Sequence, residues 1–296
     1  MAGTIVGLNR YPVKSMLGEA PSEVDVTTRG VLGDRAYAVL DQSTGKVASA
    51  KNPAKWGRLL EVRAGYVDAV SAGHELPPVQ LTFPDGTTAR SDDSSIDETL
   101  TSYLGRDVTL ASTGPEGPIF EEVWPADVEG LAPEEFISST STTTTAEGDA
   151  ISDLSLGLAA PPGTFFDLAT LHLLTTSTLE ALRKAGPGSD FDVRRYRPNV
   201  LVETPEEGFV ENAWVAQVVA LGSTAAARVD LPTMRCVMTT LRQPDLVADR
   251  EGLRVISRTN RLEIAGLGVW ACAGVYATVT EAGPMRLGDP VTVRSE

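Results

Sequence analysis

The sequence predicts a mainly β protein with some helix, an α+β chain organised as two β-rich units. Three observations predict it. Short β-branched and aromatic runs crowd both halves; Gly, Pro or Asp bounds most of them; and no alternation of strands with long helices marks a doubly wound parallel sheet. With 296 residues, 42% of them hydrophobic, the chain can bury a substantial core.

In order, "TIVGLNRYPV", "SEVDVTT", "AYAVLD", "LLEVRAGYV" and "VQLTF" read as strands. "LDQSTGKVAS" reads as a hairpin turning at Ser43, Thr44 and Gly45, and Asp85-Gly86 is a two-residue turn signal. In Ser94 to Leu104, "SSIDETLTSYL", Ile96, Leu100, Tyr103 and Leu104 share one helical face, and Gly105 stops the helix. Residues 111–163 read as mostly irregular, with the polar tract "SSTSTTTTAEGD" inside them and Pro161-Pro162-Gly163 near their end. Beyond them the spacing Ser177-x-x-Glu180 predicts a capping box and a helix from Ser177 to a stop at Gly186, with Arg183 and Lys184 in its last turn. "NVLVE", "AWVAQVVALG", "AARVDL", "VWACAGVYATVT" and "PVTV" complete the second unit. The division is therefore 1–118, a connection at 119–163, and 164–296.

Composition excludes several functions. A net charge of −15 opposes nucleic-acid and anionic-membrane binding. Two cysteines cannot staple a chain of this length and fit a reducing, cytoplasmic setting. "MAGTIVGLNRYPVKS" lacks the features of a signal peptide, and no apolar run reaches the roughly 18 residues of a membrane span. His74 and His172 lie far apart and away from both cysteines, which argues against structural zinc. No G-x-S-x-G marks a hydrolase. "GLGVWA", Gly266 to Ala271, matches G-x-G-x-x-A, but the text after it continues as strand rather than as the helix a dinucleotide needs.

Against this acidic background, positive charge gathers at Lys14 in "YPVKSM", Arg35 in "GVLGDRAY", and Arg194, Arg195 and Arg197 in "DVRRYRPNV". Solvated side chains are the ordinary meaning of such residues. Arg35 and Arg197, however, sit in Gly or Pro turns beside strands, where guanidinium forks often meet phosphates or carboxylates. The helix start at Thr175-Thr176-Ser177 adds hydroxyls and free N–H groups, which makes it a natural anion site. In "DLPTMRCVMTTL", Arg235 precedes Cys236, and a neighbouring cation favours the thiolate; Thr239 and Thr240 follow. Cys272, in "WACAGVY", reads as a small core residue.

"YPVKSMLGE" followed by "RGVLGDRAYAVLD" resembles the opening of the β-barrel-like domain that precedes MOSC domains, and "RYRPNVLVE", "LPTMRCVMTT" and "MRLGDPVTV" are similar to successive MOSC signatures. Their order covers most of the chain and resembles the group of the mitochondrial amidoxime-reducing component. That resemblance implies a MOSC-type β-barrel with peripheral helices in the second unit, and a molybdenum cofactor of the molybdopterin type with Cys236 as metal ligand. It further implies that Lys14, Ser15, Arg35, Thr176, Ser177, Arg197 and Asn199 hold the pterin and its phosphate, while Thr233, Arg235, Thr239 and Thr240 frame the ligand. A soft thiolate suits molybdenum beside dithiolene sulfurs. Met16 stands where many relatives carry a cysteine, and the text after Leu241 is assigned to the substrate wall.

The activity so implied is molybdenum-dependent reduction of N-hydroxylated or N-oxide-like small molecules by oxygen-atom transfer. The alternative is a non-catalytic carrier of the cofactor or of persulfide sulfur on Cys236. No cysteine cluster for an iron–sulfur centre exists in the chain, so electrons are expected from a separate iron–sulfur or haem protein.

Overall fold

The computed structural model describes residues 2–157 and 160–294. The chain opens with β1 (Ala2–Leu8), β2 (Glu23–Thr27) and β3 (Gly30–Val31). Next come β4 (Ala38–Asp41), α1 (Pro53–Trp56), β5 (Arg63–Tyr66), β6 (Val79–Thr82), β7 (Thr88–Arg90), α2 (Ile96–Leu104) and β8 (Val108–Ala111). This group packs around Met16, Trp56, Leu59, Leu81 and Leu100. The expected turn at Asp85-Gly86 joins β6 to β7, and Gly105 ends α2 at φ 69°, a left-handed position that glycine takes without a Cβ clash.

A middle group follows: β9 (Ile119–Trp124), α3 (Glu134–Thr140), β10 (Ser141–Thr144) and β11 (Ala150–Ser155). Here the structure corrects the expectation of an irregular connection. β11 pairs along its whole length with β9 and carries β10 on its other edge. The Ser/Thr tract is ordered by its own hydroxyls. Ser138, Ser139, Thr140 and Ser141 donate to carbonyls three or four residues back, which satisfies the last turn of α3, and the β-branched threonines then continue as strand. Residues 158 and 159 of that connection lie outside the described residues.

The remainder supplies β12 (Leu171–Thr175), α4 (Thr176–Ala185), β13 (Val200–Glu203), β14 (Val218–Leu221), β15 (Ala225–Met234), α5 (Arg250–Thr259), β16 (Arg261–Ile264), β17 (Gly268–Glu281), β18 (Gly283–Arg286) and β19 (Pro290–Arg294). In the order β12-β13-β1-β19-β14-β15-β17 these strands lie side by side, and β12 pairs again with β17, which closes a barrel; β16 extends the sheet beyond β17. Ile5, Leu8, Val200, Val202, Val219 and Val275 belong to its buried core. Closure removes the exposed edges an open sheet would present. "GLGVWA" does run into the strand β17, as its composition requires.

The first strand departs from the expected two-unit division. β1 sits between β13 and β19, with Ile5 opposite Val202 and Gly3 opposite Val291, and β2 pairs with β18. The N-terminal residues are thus a stave of the C-terminal barrel, so the two halves share one sheet.

Helices α4 and α5 lie outside the barrel, where Leu179, Leu182, Leu253 and Ile256 pack on Ala271 and Ala273. The N-cap of α4 is Thr175, not Ser177: the Thr175 hydroxyl accepts from the Thr178 N–H at 3.1 Å. Glu180 instead pairs with exposed Arg183. Thr175 and Thr178 also donate, at 2.6 and 2.8 Å, to the fully buried Glu211 carboxylate. Burial raises the Glu211 carboxyl above the usual carboxylate range, against the lowering effect of these hydroxyls. The folded state therefore holds this proton more tightly than the unfolded one, so stability falls as pH rises from about 4.5, the unfolded value, towards the raised folded value. In thermal melts from pH 4 to 8, the wild type should lose stability relative to Glu211→Gln across that window; parallel curves would refute it.

Candidate functional site

Three parts of the chain meet in one cleft between the N-terminal group and the barrel. Lys14 and Ser15 lie in the loop bridged to Tyr37, where the Lys14 N–H donates to the Tyr37 carbonyl at 2.8 Å. Ser15 accepts from the Ala50 N–H at 3.1 Å, and the Arg35 N–H donates to the Tyr11 carbonyl at 2.7 Å. Arg197 reaches across from the barrel side and donates to the Met16 carbonyl at 2.7 Å. Ser15, Arg35 and Arg197 all have positive φ, at 64°, 48° and 55°. Such strain in non-glycine residues gathers where a site holds side chains in a set direction.

The inner chamber is lined by Lys14, Arg35, Lys51, Arg197 and Arg235, with Asp167 the single carboxylate among its described residues. Asp167 forms ion pairs with Lys14 and, at 3.5 Å, with Lys51. Burial would raise its carboxyl, but Lys14, Lys51 and Arg35 hold it below the usual range. Burial lowers the Lys14 ammonium despite Asp167, and Lys51 pushes it further down; burial likewise lowers Arg197, with Arg35 adding repulsion. Positive charge is thus in excess and poorly solvated. A bound anion would relieve both conditions.

Cys236 follows β15 and caps a 3-10 turn, Val237–Thr240, in extended conformation. It packs with Ala50, Leu60 and Met238. The expectation of a favoured thiolate needs correction: burial pushes the Cys236 thiol up to about 11, and Lys51 and Arg235 only partly offset it. Arg235 donates to the Tyr196 carbonyl at 3.2 Å, while its buried Nε has no partner.

A larger outer chamber shares Cys236, Lys51, Asp167, Met234, Arg235 and Tyr276 with the inner one. Its walls are Phe120, Trp124, Phe136, Leu154 and Trp270. Cys236 therefore lies on the boundary between a cationic chamber and an apolar one.

Of the residues expected from sequence, Lys14, Ser15, Arg35, Arg197, Asn199, Arg235 and Cys236 line the inner chamber. The others need correction. Thr176 and Ser177 open onto a separate surface cleft with Glu180 and Lys184, because the start of α4 is turned towards Glu211. Thr233 is fully buried off the cleft. Thr239 and Thr240 donate to the Cys236 and Val237 carbonyls, and so shape the turn rather than face a ligand. Asn199 lines the chamber, but its amide is engaged with Asp34, Asn9 and the His172 N–H. It is a strut, not a free donor. Of the text after Leu241, Leu267 and Trp270 reach the outer chamber, whereas α5 packs on the barrel. Cys272 is fully buried, as expected of a core residue. Lys51, Asp167, Tyr196, Tyr276 and the aromatic walls went unrecognised in the sequence. The one local signal was the Lys51-Asn52-Pro53 turn, a cation beside a helix start.

No curated protein is significantly similar to the chain. Among solved structures, the YuaD protein from Bacillus subtilis aligns over 100% of this chain and 97% of its own, at 10% identity and a TM-score of 0.44. YiiM from Geobacillus stearothermophilus aligns over 43% of this chain and 55% of its own, at 14% identity and a TM-score of 0.30. The model of the MOSC N-terminal beta barrel domain matches residues 2–107. The model of the MOSC domain matches residues 162–292. With both domains matched in order over most of its length, the chain belongs to the MOSC-domain proteins, a family associated with the molybdenum cofactor.

Proposed function

We propose that the cleft holds a molybdenum cofactor with Cys236 as metal ligand, and that the protein reduces N-hydroxylated or N-oxide-like small molecules. The observation that carries this reading is the place of Cys236 on the boundary between the two chambers. Lys14, Arg35, Arg197 and Arg235 would hold the phosphate and polar edge of the pterin, and the unpartnered Arg235 Nε is a donor still lacking its acceptor. When bound, the cofactor supplies two-electron oxygen-atom transfer. A thiol pushed up to about 11 is protonated at neutral pH, and coordination by a cation favours its thiolate.

Around that thiol the other side chains have separate tasks. Burial opposes charge on Lys51, yet Asp167 and Glu122 hold its ammonium well above the ordinary lysine value, so Lys51 keeps its proton and orients acceptors. Burial raises the Tyr276 phenol, which lines both chambers and can donate a hydrogen bond to a departing oxygen. Of the carrier alternative, persulfide transfer is disfavoured because it needs an accessible thiolate and Cys236 is 8% exposed, whereas carriage of the cofactor is distinguished from catalysis by the absence of turnover. Electrons would come from a separate iron–sulfur or haem protein; no group of three or more metal-ligating side chains exists among the described residues. No described helix is long and apolar enough to cross a membrane, and a cytoplasmic setting is part of this proposal.

Protein made in a host that synthesises the cofactor should purify with close to one equivalent of molybdenum and a phosphorylated pterin identified by mass spectrometry. It should also reduce an N-hydroxylated substrate with a reduced viologen as electron source. Folded protein with less than about a tenth of an equivalent of metal would overturn the reading.

A further inference from the structure

Four of the five wall residues named for the outer chamber come from a part of the chain that neither family model matches, residues 108–161. Phe120 and Trp124 come from β9, Phe136 from α3 and Leu154 from β11, and Trp270 of the barrel completes the wall. Three of these rings fix one another. Phe136 and Trp270 lie 4.9 Å apart at 68°, Trp124 and Phe136 5.8 Å apart at 86°, and Trp124 and Trp270 6.0 Å apart at 60°. Both indole N–H groups are engaged within the protein, Trp124 with the Ser152 hydroxyl at 2.9 Å and Trp270 with the Leu267 carbonyl at 2.7 Å. What remains for a ligand is ring surface.

Charge on this side is paired as well. Glu122 meets Lys51 at 2.9 Å and Asp153 meets Lys46 at 2.7 Å. Apart from Arg235, which the inner chamber shares at the Cys236 end, a charged substrate body would find no free partner on the wall and would be desolvated without return. A flat apolar body would gain both area burial and edge contacts to preset rings. The geometry points to residues 119–155 as a specificity element that selects uncharged substrates with an aromatic body, placing their reducible end towards Cys236. The chemistry rests on the reading proposed above; the binding does not.

Trp124 and Trp270 allow binding to be followed without turnover. Titrating the full-length chain by tryptophan fluorescence, benzamidoxime should bind at least about tenfold tighter than acetamidoxime, and a ring carboxylate should weaken it by a similar factor. Phe136→Ala should weaken benzamidoxime about fivefold or more and acetamidoxime by less than about twofold. Phe136→Leu, which keeps an apolar side chain on α3, should lose less. Equal binding of the two amidoximes, or both variants matching wild type, would overturn the inference. Selective aromatic binding by protein that takes up no molybdenum in a host that synthesises the cofactor would support the chamber while the metal reading fell. Equal kcat/KM for both amidoximes in metal-loaded protein would overturn the chamber and leave the metal reading standing.

Discussion

Replacing Cys236 with serine should yield a folded protein that retains no molybdenum and has no reductase turnover. The thiol contributes little to the fold. It sits in a small cluster with Ala50, Leu60 and Met238, and exchanging sulfur for oxygen there costs about 1 kcal/mol, within the ordinary range for single substitutions. Its loss removes the soft ligand, and a serine hydroxyl is a hard donor that does not replace a thiolate beside dithiolene sulfurs. Cys272→Ser is the matched control: that cysteine lies fully buried in β17, so its exchange should change stability and leave metal content as it was. Metal analysis and a thermal melt on the two variants decide the matter. Retained molybdenum in Cys236→Ser would remove Cys236 from the coordination sphere.

Cys236 was legible in the sequence because its neighbours are chain neighbours. Its protonation state was not. Arg235 stands next to it in sequence and does lower its pKa, but burial acts more strongly, and burial belongs to the fold. The same distinction runs through the molecule. Turns at Asp85-Gly86 and Gly105 depend on a few adjacent residues and fall where expected. Partner choice between strands is a long-range property, so β1 could be recognised as a strand without any sign that it completes the distant barrel. The α4 cap moved by two residues because Thr175 and Ser177 offer equivalent hydroxyls, and the buried Glu211 that favours Thr175 is 36 positions away. Low complexity misled for a related reason: hydroxyl groups that look like solvated linker can instead close a helix end. Lys51, Asp167 and the aromatic walls come from separate stretches, and only tertiary structure brings them to Cys236.

Arg195→Ala should produce the largest stability loss of any single substitution considered, together with loss of metal. The composition of "DVRRYRPNV" hides the difference between its arginines. Arg194 pairs with Asp192 at the surface, whereas Arg195 has a side chain only 2% exposed. From that position it donates to the Thr239 carbonyl at 3.4 Å, the Leu241 carbonyl at 3.2 Å and the Val247 carbonyl at 2.7 Å. These carbonyls belong to the turn after Cys236 and the loop that follows. Truncation leaves three acceptors without their donor, at about 1–3 kcal/mol each, and opens a void where the side chain was. Even the lower end of that range, about 3 kcal/mol, corresponds to a Tm fall of about 6–12 °C for a protein near this size. Arg195→Lys keeps the charge but cannot span three carbonyls with a fork, so it should fall between the two. It also separates stability from function. If Arg195 acts by holding the Cys236 turn, Arg195→Lys should lose molybdenum occupancy at temperatures well below its own melt; full occupancy up to the melt would reduce Arg195 to a purely structural role.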